Sequence, residues 1–240
     1  MDPIYHYPGE ANPAVYDLEN AIADPERRIE RFMESVCPLD GVTLADIGAG
    51  GGFHACRFAE KAAQVFAAEP APLMLRQLYQ RVAKSSLSNV SILAAGAEGL
   101  PLRDGLVDVI HSRFAYFFGP ERGFVRSCAP GIAEAVRVLK PGGHFFIIDN
   151  ALMSGDFAAI LACHGYTRGM AQEMQEANDA FYREQGFECA TVESVWAAPD
   201  RETLRRVLAM EFPGAPPEEV MSTVIEAELS YHYRVYYRRK

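Results

Sequence analysis

Hydrophobic and polar positions along the chain follow a repeating strand–helix pattern. Short apolar runs predict buried strands at 43–47, 65–68, 90–94, 107–112 and 144–148. Between several of these runs, apolar residues recur at three- and four-residue spacing, which predicts helices from residue 53 onwards and over 72–84 and 123–139. Strands that alternate with helices favour an α/β fold built on a parallel sheet.

The flanking segments have patterns of their own. Two helices are predicted at 13–23 and 25–36, with Asp24 as the N-cap and Pro25 at the first helical position. After an insert at 151–169, the pattern predicts helices at 171–186, 201–211 and 218–228 and strands at 187–196 and 229–238.

Composition narrows the class of protein. A chain of 240 residues, 49% of them hydrophobic, suits one large folded domain and excludes a disordered protein. A net charge of −9 argues against a nucleic-acid groove, which needs clustered Lys and Arg. No run approaches the roughly 20 apolar residues of a membrane span, and the first residues lack a signal-peptide pattern. The five scattered cysteines predict free thiols and a cytoplasmic location rather than disulfides or a zinc site.

The first strand runs into a glycine-rich turn with the spacing D-x-G-x-G-x-G, formed by Asp46, Gly48, Gly50 and Gly52. Glycines let the backbone take positive φ and approach a ligand closely. A dinucleotide fingerprint would need Gly or Ala at position 53, where this chain has Phe53. The second apolar run ends in Glu69, near the offset of about 20 residues at which an acid meets a ribose.

These residues resemble the first motif of the class I S-adenosylmethionine (SAM)-dependent methyltransferases, in particular the type that includes ubiquinone/menaquinone-biosynthesis enzymes. Two further stretches resemble that family: AAGAEGLPLRDGLVDVIHSRFAYFF at 94–118 and EAVRVLKPGGHFFIID at 134–149. Many relatives carry an Asp that bonds the adenine amino group where this chain has Gly96. The resemblance covers residues 40–150 well and the remainder loosely.

The resemblance implies a Rossmann-like three-layer sandwich. Its seven-stranded, mostly parallel sheet would have the strand order 3-2-1-4-5-7-6 and an antiparallel last strand. We therefore expect one domain over residues 1–240, divided into a helical lid (1–36), a cofactor-binding core (40–150) and an acceptor-side region with the C-terminal strands (151–240).

The resemblance also implies SAM as methyl donor and S-adenosylhomocysteine (SAH) as product. The turn residues Gly48, Ala49, Gly50 and Phe53, together with Asp46, are expected to hold the methionine end, and Glu69 the ribose. Pro70 would pack on the adenine, and Ala97 or Glu98 would replace the missing Asp. Ser112 and Arg113 are expected at the methionine or methyl region, and Tyr16 as a lid residue, with core or surface packing as the alternative for Tyr16.

The expected reaction is in-line transfer of the methyl group to a small, partly apolar acceptor. A hydroxyl or amine acceptor would lose a proton, so a general base is needed, whereas a thiolate or carbanion acceptor needs none. Candidate bases are His54, His111 and Tyr116, with His6 and Asn150 as further rim residues. Each histidine also has a structural alternative, since His54 can bond the helix end and His111 can be a core imidazole. No motif indicates a metal site.

Two other functions stay open. A SAM- or SAH-binding partner or sensor without transferase activity would have the same motif. An NAD-dependent oxidoreductase on a similar sheet is disfavoured by Phe53 and by the Ala97-Glu98 segment. The sequence leaves open the acceptor, the atom methylated, the oligomeric state and the pathway.

Overall fold

The computed structural model describes residues 12–123, 126–163, 165–213, 217–222, 224 and 226–240. Residues 1–11, which include His6 and the start of the expected lid, lie outside this range. Within the described residues, one sheet contains seven strands: β1 (Thr43–Ile47), β2 (Gln64–Ala68), β3 (Val90–Leu93), β4 (Val107–Arg113), β5 (Leu139–Asn150), β6 (Glu188–Val192) and β9 (Tyr233–Arg239). A short ribbon pairs β7 (Val195–Ala197) with β8 (Glu228–Ser230).

The order of the large sheet is β3-β2-β1-β4-β5-β9-β6. The first five strands in this order are parallel, and β9 runs antiparallel to both β5 and β6. Because β6 and β9 are the sixth and seventh strands of this sheet along the chain, the expected order 3-2-1-4-5-7-6 is confirmed, as is the α/β class.

Helices cover both faces of the sheet. They are α1 (Pro13–Ile22), α2 (Arg28–Val36), α3 (Phe53–Ala59), α4 (Pro72–Lys84), α5 (Ala129–Val138), α6 (Phe157–Cys163), α7 (Arg168–Glu184), α8 (Arg201–Glu211) and α9 (Pro217–Ser222). Successive residues of β5 divide the core: Phe146 and Ile148 pack with α1–α3, and Phe145 and Ile147 pack with α5 and α7. None of the helices in the described part of the chain is long and apolar enough to cross a lipid bilayer.

Several predicted boundaries were wrong. Helix α5 begins at Ala129 rather than at 123, with Pro130 in its first turn, where proline is best tolerated. The predicted helix 218–228 is only the short α9. The predicted strands 187–196 and 229–238 are each interrupted, because their outer parts leave the large sheet and pair with each other as β7 and β8.

Asp24 caps α2 from further back than expected. Helix α2 begins at Arg28, and Asp24 has φ of 52°. Its carboxylate accepts the N–H groups of Arg28 at 2.9 Å and Ile29 at 3.0 Å, and it also accepts the hydroxyl of Ser194 at 2.6 Å. The capping chemistry was therefore predicted correctly, but the helix start was three residues early.

Candidate active site

The glycine-rich turn lies at the carboxyl ends of β1 and β2. Gly48 and Gly50 have φ of 75° and 53°. A Cβ at Gly48 would overlap Ala115, and one at Gly50 would overlap the hydroxyl of Tyr16. The N–H groups of Gly48 and Ala49 donate to the carbonyl of Ala68 at 2.8 and 3.0 Å. Side chains are thus excluded from the turn, and its backbone is joined to the end of β2.

Glu69 connects the predicted ribose site to this turn. The residue is 6% exposed, and its two carboxylate oxygens accept the N–H groups of Gly50 and Ala71, both at 2.8 Å. Hydrogen bonds to a charged acceptor are stronger than neutral ones. The structure therefore brings together the two parts of the site that the sequence assigned to ribose and methionine.

Helix α1 lies over the turn. The ring of Tyr16 faces Gly50 and Gly51, and Arg81 of α4 ties α1 to the turn by donating from Nε to the carbonyl of Gly51 at 2.7 Å and pairing with Asp17. Sequence reasoning missed Arg81, because no local pattern links a mid-helix arginine to a turn 30 residues earlier.

Phe53, the residue that departs from the dinucleotide fingerprint, packs between two arginines. The guanidinium groups of Arg57 and Arg81 lie 5.4 and 5.6 Å from its ring centroid. At that distance a cation is attracted to the face of an aromatic ring. Phe53 therefore helps to hold α3 and α4 beside the turn.

The predicted adenine-side residues lie at the ends of β2 and β3. Pro70 is exposed, and a Cβ built at Gly96 would be 4.0 Å from Cβ of Pro70. Ala97 is buried, whereas Glu98 is exposed and accepts the hydroxyl of Tyr116 at 2.6 Å. Burial and the contact with Glu98 raise the pKa of Tyr116. Tyr116 thus belongs to the Glu98 side of the cleft, where it keeps its proton and is a poor general base.

Asp46 and His111 form a buried pair across the centre of the sheet. The parallel register places the two residues directly opposite each other on β1 and β4, and Oδ1 of Asp46 lies 2.8 Å from Nδ1 of His111. Both residues are 2% exposed. With Asp46 ionised, Nδ1 carries the proton and donates it, which leaves Nε2 as an acceptor. Sequence reasoning named both residues but did not predict their contact.

His54 lies beside this pair. Its ring centroid is 5.7 Å from that of His111, and Phe58 packs edge-on against His111 at 4.8 Å. Burial, followed by the charge of Arg113, lowers the pKa of His54 well below its usual value. The imidazole of His54 is therefore neutral at physiological pH.

Ser112 and Arg113 diverge at the end of β4. The hydroxyl of Ser112, which is 1% exposed, donates to the carbonyl of Ile47 at 2.8 Å. The guanidinium of Arg113 donates to the hydroxyl of Tyr233 at 3.1 Å and lies over the rings of Tyr233 and Phe114 at 4.8 and 5.4 Å. Among the described residues, no group of three or more His, Cys, Asp or Glu side chains is placed to hold a metal ion.

Comparison with known proteins gives consistent matches. Residues 45–147 match a family model described as a methyltransferase domain. The chain is 29% identical over 133 residues to a tRNA U34 carboxymethyltransferase of Pseudoalteromonas translucida, covering 55% of this chain and 39% of that protein. It is 33% identical over 123 residues to a ubiquinone/menaquinone biosynthesis C-methyltransferase of Acidiphilium cryptum, covering 49% and 46%. The chain thus spans less than half the length of these two curated relatives.

Solved structures extend the match to the whole fold. The crystal structure of a SAM-dependent methyltransferase from Aquifex aeolicus superimposes with a TM-score of 0.59 at 17% identity, covering 97% of this chain and 98% of that one. At this identity the match demonstrates the fold alone. Together with the family match, it confirms the resemblance derived from the glycine turn and the two flanking stretches.

Proposed function

We propose that the protein transfers a methyl group from SAM to a small acceptor and releases SAH, because residues 45–147 match a methyltransferase domain. One observation carries the proposal. The turn at Gly48–Gly50 and the carboxylate of Glu69 converge at the carboxyl ends of β1 and β2, which is where open α/β sheets bind nucleotides.

The residues present fit SAM. Positions 48 and 50 require glycine, because Ala115 and the Tyr16 hydroxyl lie where a Cβ would be and both residues have positive φ. Glu69 supplies the acceptor that a ribose hydroxyl pair needs, and Pro70 and Gly96 supply a small apolar surface for the adenine. We assign the methionine end to the turn, the ribose to Glu69, and the adenine to Pro70, Ala97 and Glu98.

SAM, when bound, supplies a methyl group on a sulfonium, which leaves as a neutral thioether, so the protein mainly has to position the acceptor. Helix α1 covers the turn through Tyr16, and this cover excludes water from the donor side. Ser112 joins the end of β4 to the end of β1 through the carbonyl of Ile47 and thereby fixes the floor of the cleft.

For a hydroxyl or amine acceptor we assign the general base to His111. Asp46 fixes its tautomer, so Nε2 can accept the proton that the acceptor loses. His54, which is neutral and adjacent, is the alternative. Tyr116 is disfavoured because its hydroxyl donates to Glu98.

The two curated relatives point to different acceptors by name, an RNA base in one and a carbon atom in the other. We favour a small molecule because the net charge of −9 opposes binding to nucleic acid. None of the five cysteines, all of which lie in the described residues, forms a disulfide bond, and this supports a cytoplasmic location.

The proposal is tested by calorimetric titration of the purified protein with SAH and, separately, with NADH. Micromolar binding of SAH without binding of NADH supports the assignment, whereas the reverse supports an oxidoreductase. SAH release from SAM is then measured with small carboxylates, amines, phenols and unmodified tRNA as acceptors. Binding of SAH with no turnover on any acceptor would favour the non-catalytic module, and turnover on tRNA alone would overturn the small-molecule assignment.

The base is tested with His111→Gln and His54→Gln, assayed across pH 5–9 once an acceptor is known. Loss of a general base lowers kcat by about 10²- to 10⁴-fold. We expect that loss in His111→Gln, with SAH affinity retained and with the acidic limb of the pH profile removed. An unchanged pH profile in this variant would exclude His111 as the base.

A further inference from the structure

Some half-buried arginines in the described part of the chain pair with a carboxylate, whereas Arg113, Arg122 and Arg238 do not. Arg57, with 15% of its side chain exposed, pairs with Glu30 at 2.9 Å, and Arg234, with 20% exposed, pairs with Asp179 at 2.5 Å. In the described part of the chain no carboxylate forms an ion pair with Arg113, which contacts the Tyr233 hydroxyl and two aromatic rings. A guanidinium carries five N–H donors, so this arrangement leaves donors available.

The guanidinium is held firmly in place. Tyr233 is fully buried, and its hydroxyl also accepts the indole N–H of Trp196 at 3.0 Å. The ring of Phe114 lies beside that of Tyr233, with 5.9 Å between their centroids. Phe114 has φ of 47°, and its N–H donates to the carbonyl of Ile148 at 3.0 Å. An arginine stacked on fixed rings is pre-organised to bind a planar oxyanion through two parallel hydrogen bonds.

The side chain of Arg113 extends from β4 toward β9 rather than toward the glycine turn. Arg113 starts on β4, which neighbours β1, but its head group lies over Tyr233 of β9, on the far side of β5. With neighbouring strands about 4.8 Å apart, β9 is about 14 Å from β1 across the sheet. The methionine end of SAM is assigned to the turn after β1, so Tyr233, the hydrogen-bond partner of Arg113, lies on a strand about 14 Å from the one that leads into the donor side.

The nearby charges also favour an anion. Arg113 acts on His54, whose pKa is lowered, and on Glu19, whose pKa burial raises to about 8 despite the arginine. Glu19 is therefore mostly protonated at neutral pH and supplies little negative charge. A half-buried cation without an ionised partner can bind a carboxylate in a charge-assisted hydrogen bond.

We propose that Arg113, held against the adjacent rings of Phe114 and Tyr233, binds the carboxylate of the methyl acceptor, so that the acceptor is a small organic acid. This inference rests on the proposed methyl transfer and narrows its substrate class. The rings beside the guanidinium supply apolar surface for the rest of the acceptor, and the Asp46–His111 pair lies on the same strand two residues before Arg113.

The test uses three ligands of matched shape: benzoate, benzamide and benzylamine. Each is titrated into the SAH-saturated protein by calorimetry, with Arg113→Gln and Arg113→Lys as variants and Arg103→Gln as a control that removes the same charge from an exposed site. We expect benzoate to bind at least tenfold more tightly than benzamide. Arg113→Gln should abolish this difference, Arg113→Lys should retain part of it, and Arg103→Gln should leave it unchanged. SAH affinity should stay within twofold in all variants.

Three results would overturn the inference: equal affinity for benzoate and benzamide, preference for benzylamine, or no binding of any of the three. A tenfold loss of SAH affinity in Arg113→Gln would instead place Arg113 at the methionine carboxylate. Failure of the wild-type protein to bind SAH would refute the proposed function. Benzoate is also titrated into the SAH-free protein. This measurement separates a failure to bind SAH from a failure of Arg113 to bind a carboxylate.

Discussion

Substitution of Glu69 by alanine should lower both the stability of the protein and its affinity for SAH. The carboxylate accepts two backbone N–H groups at 2.8 Å from a position that is 6% exposed. Removing it leaves the buried N–H of Gly50 and the half-buried N–H of Ala71 without this acceptor. Hydrogen bonds to charged groups contribute about 1.5–3 kcal/mol each, so we expect a loss of about 3 kcal/mol after local relaxation. For a chain of this size that corresponds to a fall in Tm of about 6–12 °C.

The assay is thermal unfolding at pH 7, with and without saturating SAH. Glu173→Ala, an exposed substitution on α7, is the control and should unfold within about 1 °C of the wild type, as expected for a surface change. Since a ligand that binds only the folded state raises Tm, the wild type should gain stability from SAH and Glu69→Ala should gain almost none. Unfolding of ligand-free Glu69→Ala at the wild-type temperature would refute the structural part of this reasoning. A normal SAH-dependent shift in the variant would refute the ribose assignment.

Three further substitutions test other features. Asn178→Leu replaces a buried amide whose Oδ1 has no hydrogen-bond partner among the described residues. Urea unfolding of this variant should show an unchanged free energy of unfolding or a gain of up to about 1 kcal/mol. A clear loss of stability would contradict this prediction. Arg81→Gln should release α1 from the turn. Backbone amides of α1 should then exchange hydrogen at least tenfold faster, while the global free energy of unfolding falls by less than about 1 kcal/mol. Unchanged hydrogen exchange would show that Arg81 does not hold α1 against the turn. Glu19 has its pKa raised from 4.5 to about 8 by burial. The folded state therefore binds the extra proton between these values, and stability falls as pH rises through this window. Glu19→Gln should reduce that slope without abolishing it, because burial also raises the pKa of Glu211 to about 8. Urea unfolding at pH 6 and 8.5 measures the change in slope.

Much of the fold could be predicted because its central elements have strong local signals. The strand at 43–47 agrees with β1 to the residue, and the helix at 72–84 agrees with α4, whose first residue is a proline. The periphery was harder. Residues 187–196 have the pattern of one strand, but the pairing of β7 with β8 divides them into two strands. A local pattern cannot predict a pairing partner over 30 residues away.

The sequence also located the cleft but not its contacts. Asp46 and His111 were both candidate site residues, yet their hydrogen bond depends on the register between β1 and β4. A shift of one residue would place His111 on the opposite face of the sheet, and nothing in either strand specifies the register by itself. The same reasoning applies to Glu69, whose bond to Gly50 follows from the alignment of β2 with β1.

Residues Ser112 and Arg113 show how the alternation of a strand divides the cleft into two sides. They are adjacent on β4, so their side chains leave on opposite faces of the sheet. Ser112 donates back to Ile47 at the base of the glycine turn, whereas Arg113 extends over β5 to Tyr233 on β9. The end of β4 therefore contacts the base of the glycine turn through Ser112 and the aromatic residues around Tyr233 through Arg113. This division gives a physical reason for assigning the two residues to different ligands, although the sequence alone grouped them at one methyl region.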